Sequence, residues 1–350
     1  MSGSLLSIGI LAHNESPRIS KTLESLFAQD VFEQFSVEVV IVANGCADDT
    51  AAVARLILAS HRATWSAHGS ARVVEVAIAG KANAWNQFVH EFSSPDVTIL
   101  VLMDADISLM KTNTVSSMIA TLEREPEAAV CVDRPIKDIE TFATRTLFQR
   151  LLIAATPKID VNNVPLCGQL YCVRSALARQ ITLPVEIVCE DGFLRALLLT
   201  KGFSAPEDPR RIVLDATATH SFTSVGTLWE LFKHERWLVA GTIIDMLLFE
   251  RFWAECGPNR TAMSLMSEWQ AKDPDWLPHY IESQVRVKGW RLLPGHWWTR
   301  RWSRLRHLSF RQKFLKLPTT FAAAAVDALI FVAAIKEVHR GRAFRYWGRK

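Results

Sequence analysis

Two acidic pairs and a lysine are the residues of this sequence whose types and spacing could do chemistry. Asp104 and Asp106, with one residue between them, stand at the end of a run, 97–103, that is apolar but for Thr98. Carboxylates so placed suit a hard divalent cation, Mg2+ or Mn2+, with a phosphate filling its remaining coordination positions. A lone Asp-x-Asp serves equally as a turn or helix cap, so the position after this run carries more weight than the tripeptide. Glu190 and Asp191 form a second acidic pair at the start of a helical pattern, where a carboxylate can cap the helix or act as a base. Lys81 follows Gly80 at a strand-to-helix junction, and an ammonium there can neutralise a diphosphate. Lys233 and Arg236, three apart on a helical stretch, share a face; they read either as paired cations for phosphate oxygens or as a solvated charged face.

These side chains need a scaffold, and the hydrophobic pattern describes one. Runs 5–12 and 37–43 are short, apolar and rich in β-branched residues, and each precedes helix-start chemistry. Ser16-Pro17 leads into Ile19, Leu23, Leu26 and Phe27 at one-face spacing; Asp48 and Asp49 precede a helix over 51–59. Strands over 73–78 and 97–103 flank a helix over 82–92. Alternation of this kind predicts a parallel sheet with helices on both faces and ligands outside the carboxyl ends of the strands. His13, Asn14, Glu15, Asn44, Lys81, Asp104 and Asp106 then share one edge of the sheet. Past residue 140 the pattern is mixed: helix 142–155, strand 168–173, helix 191–199, strand 211–216 and a long helix over 224–252.

In this order the residues resemble a family-2 glycosyltransferase with the GT-A fold, over roughly residues 5 to 240. The resemblance rests on Asn14-Glu15, Ala43-Asn44-Gly45-Cys46-Ala47-Asp48-Asp49-Thr50, Gly80-Lys81-Ala82-Asn83-Ala84-Trp85-Asn86, Asp104-Ala105-Asp106, Glu190-Asp191 and Lys233-x-x-Arg236-Trp237. It implies an α/β fold, a Rossmann-like mixed sheet with helices on both faces, and inverting transfer from a nucleotide-diphosphate sugar to a hydroxyl. By the same resemblance Asp191 is the catalytic base, and Asp104, Asp106 and His220 hold the metal. Asn14, Glu15, Asn44, Lys81, Asp104, Lys233 and Arg236 bind the donor, and Glu190 and Trp237 meet the acceptor. Two positions depart from the pattern. Asn44-Gly45 stands where many relatives carry an acidic pair, and Lys233 where processive relatives carry Gln or Arg.

Composition bounds the rest. The chain has 350 residues, 49% hydrophobic and 22% charged, with mean hydropathy +0.10, which excludes disorder, collagen-like repeats and small disulfide scaffolds. Six cysteines without CxxC spacing and no basic leader before the first apolar run predict a reducing, cytoplasmic setting. The net charge of +4 hides a division: residues 286–350 carry +14 and residues 1–285 carry −10. Between 286 and 316 lie Trp290, Trp297, Trp298 and Trp302 among ten Lys and Arg. Indoles mixed with cations suit an anionic membrane surface better than nucleic acid here, because the apolar run 321–335, interrupted only by Asp327, follows. The run is short for spanning, so a peripheral or monotopic helix over 318–338 on the cytoplasmic side is expected, with a buried helix as the alternative. The expected organisation is a GT-A domain over 1–240, a helical connector over 241–285 and a basic, Trp-rich, mainly helical extension over 286–350. The acceptor expected is lipid-linked or an envelope glycan. A processive polysaccharide synthase and a non-catalytic membrane-docked module are the other readings. One marginal apolar segment cannot build an export channel, and Asp104, Asp106, Asp191 and Arg236 are all retained.

Overall fold

The computed structural model describes residues 5–65, 69–156, 159–303, 305–306 and 309–341; the end of the basic tail, beyond residue 341, lies outside them. Its first half follows the strand–helix alternation. Strands β1 (Leu5–Ala12), β2 (Ser36–Asn44), β3 (Ser70–Val76) and β4 (Ile99–Asp104) are parallel. They are interleaved with α1 (Ile19–Phe27), α2 (Val31–Gln34), α3 (Thr50–Ser60), α4 (Arg62–Trp65) and α5 (Lys81–Asn86). The short β5 (Ile107–Leu109) follows at once, then α6 (Thr114–Arg124), β6 (Val130–Lys137), α7 (Leu147–Ala155), β7 (Leu170–Arg174), α8 (Ser175–Ala178), α9 (Glu190–Leu199) and β8 (Ile212–Phe222). The eight strands make one mixed sheet in the order β3-β2-β1-β4-β7-β6-β8-β5, in which β7 runs antiparallel to both β4 and β6.

Alternation along each strand builds two cores. Leu6, Ile8 and Ile10 of β1 face α1, α3 and α6, while Leu11, with Val40, Val42, Leu100 and Leu102, faces Trp85, Phe88 and α9. The expected helix over 82–92 is α5 followed by one π-helical turn, Gln87–Phe92, closed by the Ser93 N–H donating to Phe88 O. Helix α7 begins at Leu147 and not at 142, because Thr146 and Gln149 form a reciprocal cap.

The long helix is α10 (Leu228–Glu255), started by the Thr227–Glu230 capping box and unbroken through residue 240. The expected boundary there falls inside a helix, and Val239, Ile243, Ile244 and Leu248 share a core with Phe193 and Leu197 of α9. Close approach is possible because a Cβ at Gly241 would stand 2.4 Å from Cys189 Sγ. Four further helices follow: α11 (Ala262–Lys272), α12 (Trp276–Lys288), α13 (Gly295–Ser303) and α14 (Phe310–His339). The expected helix 318–338 is thus part of a 30-residue one. Its last third, Ile330, Phe331, Ala334, Ile335 and Val338, belongs to the core that contains α9 and α10.

Candidate active site

A cavity of about 590 Å³ opens at the carboxyl ends of β1 and β4, bordered by α9 and α10. The fold delivers each side chain to it by a local device. Asp104 ends β4, and its N–H donates to Gln169 O at 2.8 Å, which ties the strand end to the start of β7. Only Ala105 and Asp106 separate β4 from β5, whose pairing with β8 fixes that tight connection. Lys81 opens α5 behind Gly80, whose φ is +150° and whose N–H donates to Asn44 Oδ1 at 2.6 Å. Glu190 and Asp191 form the first turn of α9; Asp191 Oδ1 accepts the Gly192 N–H at 2.7 Å. Facing them, Gly168 leaves the room they need, since a Cβ there would stand 3.0 Å from Asp191 Cβ and 3.1 Å from Glu190 Oε1.

Lys81 is the electrostatic centre. Its Nζ lies 2.8 Å from Asp104 Oδ1 and 3.0 Å from Glu190 Oε1, and donates to Gly168 O at 3.2 Å. Burial alone would favour the neutral amine, but the carboxylates of Asp104 and Glu190 outweigh it and hold the ammonium charged well above its ordinary range. One lysine does not satisfy both acids. Burial pushes Asp104 up to about 7 against the pull of Lys81, with neighbouring Asp106 adding to the rise. Burial raises Glu190 as well.

Among the expected site residues, Glu15, Lys81, Asp104, Asp106, Glu190, Asp191 and Trp237 border this cavity. The others do not. Asn14 sits in a left-handed conformation, φ +55°, with Oδ1 accepting the Ala47 N–H at 2.7 Å, so it pins the β1 loop to the β2 loop. Asn44 is fully buried, and its Oδ1 holds the Gly80 loop by accepting from the Gly80 N–H. Lys233 lies over the Trp229 ring at 5.5 Å, and Arg236 Nη1 is 3.6 Å from Glu337 Oε1 on α14. The two share a helix face as expected, but a different one meets the cavity: Leu231, His234, Glu235 and Leu238.

His220, expected to hold the metal, does not border the cavity either. It is fully buried, Nδ1 is 2.7 Å from Asp133 Oδ2, and Nε2 meets Gln169 Oε1 at 3.3 Å, so Gln169 stands between the ring and the cavity. Glu190, expected at the acceptor, is committed to Lys81. Gln169, His234 and Glu235 are cavity residues to which the sequence assigned no role.

Among the described residues no group of three His, Cys, Asp or Glu side chains could hold a metal unaided. The chemistry of the lining still fits a cation. Glu15, Asp104, Asp106, Glu190, Asp191 and Glu235 border the cavity, against two lysines, Lys81 and Lys137, and two histidines, His13 and His234. A diphosphate entering so acidic a space requires added positive charge, and Asp104 and Asp106 offer the hard oxygens a Mg2+ or Mn2+ ion prefers.

Comparison with known proteins completes the picture. The family "Glycosyl transferase family 2" matches residues 7–188, while no curated protein matches the sequence. Among solved structures, the mannosyltransferase PcManGT from Pyrobaculum calidifontis, in complex with GDP-Man and Mn2+, has a TM-score of 0.52 at 17% identity, covering 95% of this chain and 86% of that one. S. aureus TarS 1-349 in complex with UDP gives 0.44 at 16% identity, over 96% of this chain and 91% of that one. Glucosyl-3-phosphoglycerate synthase from Mycobacterium tuberculosis, with Mn2+, UDP-glucose and phosphoglyceric acid, gives 0.46 at 18%, over 69% and 80%. At such identities the first likeness speaks for the fold, GT-A, and the family match speaks for the chemistry. Spanning more than half of the sequence and taking in Lys81, Asp104 and Asp106, that match makes the chain a nucleotide-sugar glycosyltransferase, a member of glycosyl transferase family 2.

Proposed function

We propose that the protein is a divalent-metal-dependent, inverting glycosyltransferase that moves a sugar from a nucleotide diphosphate to a hydroxyl on a lipid-linked or envelope-glycan acceptor. The observation that carries the reading is the convergence of Asp104, Asp106, Lys81 and Asp191 on one cavity. Asp106 and Asp104 would hold the cation. Bound there, it would supply positive charge to the diphosphate as the bond to the sugar C1 breaks. Lys81, kept charged by its acidic neighbours, stabilises the same developing charge. Asp191, oriented by the Gly192 N–H, takes the proton of the acceptor hydroxyl as its oxygen bonds to C1 from the face opposite the departing phosphate. That displacement inverts the anomeric centre.

Trp237, half-buried at the cavity wall, offers an apolar surface to the acceptor, while Glu15 contributes to the donor side through its ion pair with Arg18 at 2.7 Å. The six cysteines are unpaired, in keeping with a cytoplasmic location, here on the inner side of a membrane with anionic lipid. Titrating UDP, GDP and dTDP by calorimetry with and without Mn2+ tests the donor half. One nucleotide should bind at least tenfold tighter with the cation. Equal affinities for all three, with or without Mn2+, would remove the cation from the mechanism. NMR of the product made from the matching sugar nucleotide reads the anomer, and retention would remove Asp191 as base for a direct displacement.

A further inference from the structure

The most unusual surface of the molecule is the first half of α14. None of residues 310–326 is buried on any side of the helix. Phe310, Phe314 and Phe321 are 88%, 71% and 65% exposed, and Leu315 and Leu317 join them. A water-exposed helix with no apolar stripe against the body is costly, since each large side chain left in water forgoes the stabilisation that burial would give it. Arg311 and Lys316 are exposed on the same turns. Apolar surface interleaved with cations is complementary to a bilayer carrying anionic headgroups.

This helix is fixed at the rim of the cavity. Asp327, where exposure ends and burial begins, accepts from Arg300 Nε at 2.9 Å and from Arg301 Nε at 2.8 Å. Arg301 also lies in the field of Glu235, a cavity residue. Two other elements at the rim show the same pattern. Helix α7 contributes Leu152 to the cavity wall and leaves Leu147 and Leu151 75% and 59% exposed. Helix α10 contributes Leu231 and exposes Leu228 and Trp229 one turn earlier.

We propose that the mouth of the cavity faces a bilayer of anionic lipid, with the first half of α14 inserted as a monotopic anchor and α7 and the start of α10 at headgroup level. The acceptor is then an amphiphile that presents its hydroxyl from the membrane surface, which rests on the reading of this cavity as the transfer site. The anchor does not cross. Its uncharged stretch, residues 317–326, is about 15 Å long at the rise of an α-helix, half of a hydrocarbon core about 30 Å thick. The remainder of α14 is held in the protein core. Trp302 braces the anchor, its ring 6.2 Å from Phe321, and Trp298 packs 5.3 Å from Phe331 in the buried part of α14, so tryptophans expected at the lipid interface serve in part as support for this helix.

The test uses the full chain with vesicles of phosphatidylcholine alone or with phosphatidylglycerol. The parent protein should float with the acidic vesicles, be weakened but not released by high salt, and bind neutral vesicles less. Phe314→Glu with Phe321→Glu should lower partitioning at least tenfold while leaving Mn2+-supported nucleotide binding unchanged. That second measurement separates failure of the anchor from failure of the cavity reading. An environment-sensitive fluorophore at Leu151→Cys or Leu228→Cys, read against the labelled parent, should shift to the blue on acidic vesicles. The same label at Leu56→Cys, an exposed site on α3, should not. A parent that stays in the supernatant, or instead forms dimers broken by the glutamates, overturns the membrane anchor. Flotation with no shift at Leu151 or Leu228 overturns the membrane-facing mouth and the amphiphilic acceptor.

Discussion

Two of the groups in which carboxylates meet cations out of full contact with water, one in the cavity and one on α14, differ in their balance of charge. In the cavity Lys81 stands among Asp104, Glu190 and Asp191. On α14 a single acid, Asp327, lies between Arg300 and Arg301. The balance decides the outcome. Burial prevails in the first group, and Asp104 is pushed up to about 7. In the second, burial is outweighed by the two guanidiniums, and Asp327 is held below the usual carboxylate range. A group left with excess negative charge in a cavity is completed by something that binds there; a group already neutralised holds the fold together.

If the excess acid in the cavity is there for chemistry, its largest single effect belongs to Asp191. Replacing it with Asn keeps the size and removes the base, so kcat should fall by about 10² to 10⁴-fold. Nucleotide affinity, measured by calorimetry, should stay within twofold of the parent. Transfer at the parent rate would move the base elsewhere, with Glu235 across the cavity next in line.

Lys81→Met sharpens the comparison from the side of stability. It leaves Asp104 and Glu190 buried without their cation, which costs about 3–5 kcal/mol for an uncompensated buried charge. The sign of its pH dependence follows from the raised acids. A carboxylate whose folded pKa lies above its unfolded value destabilises the fold when ionised and is relieved on protonation. The deficit of the variant, read as urea midpoints, should therefore be greatest near pH 8 and shrink toward pH 5. A deficit independent of pH would mean that lost packing, and not charge, accounts for it.

Asp106→Ala addresses the binding of the cation and carries a smaller effect, at least tenfold in Mn2+-supported nucleotide affinity, with EDTA reproducing it in the parent. Asp104 adds a direction. Because it is pushed to about 7, lowering the pH from 8 to 6 protonates it and should weaken cation-supported binding in the parent. Affinity that is flat across that range would separate Asp104 from the cation.

How much of this was legible in the sequence depended on whether position alone or orientation was needed. The apolar runs 5–12, 37–43 and 97–103 mark strands that end at Ala12, Asn44 and Asp104, which puts Asp104 and Asp106 at the edge of the sheet, and Glu190-Asp191 marks the start of a helix. Side-chain direction was not legible. On α10 His234 and Glu235 lie between Lys233 and Arg236 within four residues, and each step turns the helix by about 100°. Apolar residues lie on several faces of α10 because α9 packs on one side and α14 on another, so periodicity does not single out the cavity face. Asn14 and Asn44 stand where a ligand contact is expected, and that their Oδ1 atoms also accept from the neighbouring loops at Ala47 and Gly80 is visible only in the fold. Gln169 carries neither charge nor motif. Asp327 reads as a flaw in an apolar run until the fold brings Arg300 and Arg301 beside it.

The smallest effect tests the balanced side of the comparison. Asp327→Asn retains the shape and removes the charge shared by two arginines. Those arginine side chains are 38% and 34% exposed, so water screens the pair, and the cost is about 1–2 kcal/mol, well below that of a sealed ion pair. Here the acid is depressed in the folded state, so the sign reverses. Its contribution is complete above the unfolded carboxylate value of about 3.9 and is lost as pH falls through the lower folded value. The gap between parent and Asp327→Asn in thermal or urea unfolding should thus be constant from pH 8 to 5 and close only in stronger acid. The Lys81→Met gap shrinks across that same interval. If both gaps closed together, the two sites would titrate as one, and the distinction between a cavity awaiting a cation and a clamp already complete would fail. If the Asp327 gap were constant but vesicle partitioning fell with it, the clamp would be shown to hold the anchor at the angle the membrane requires.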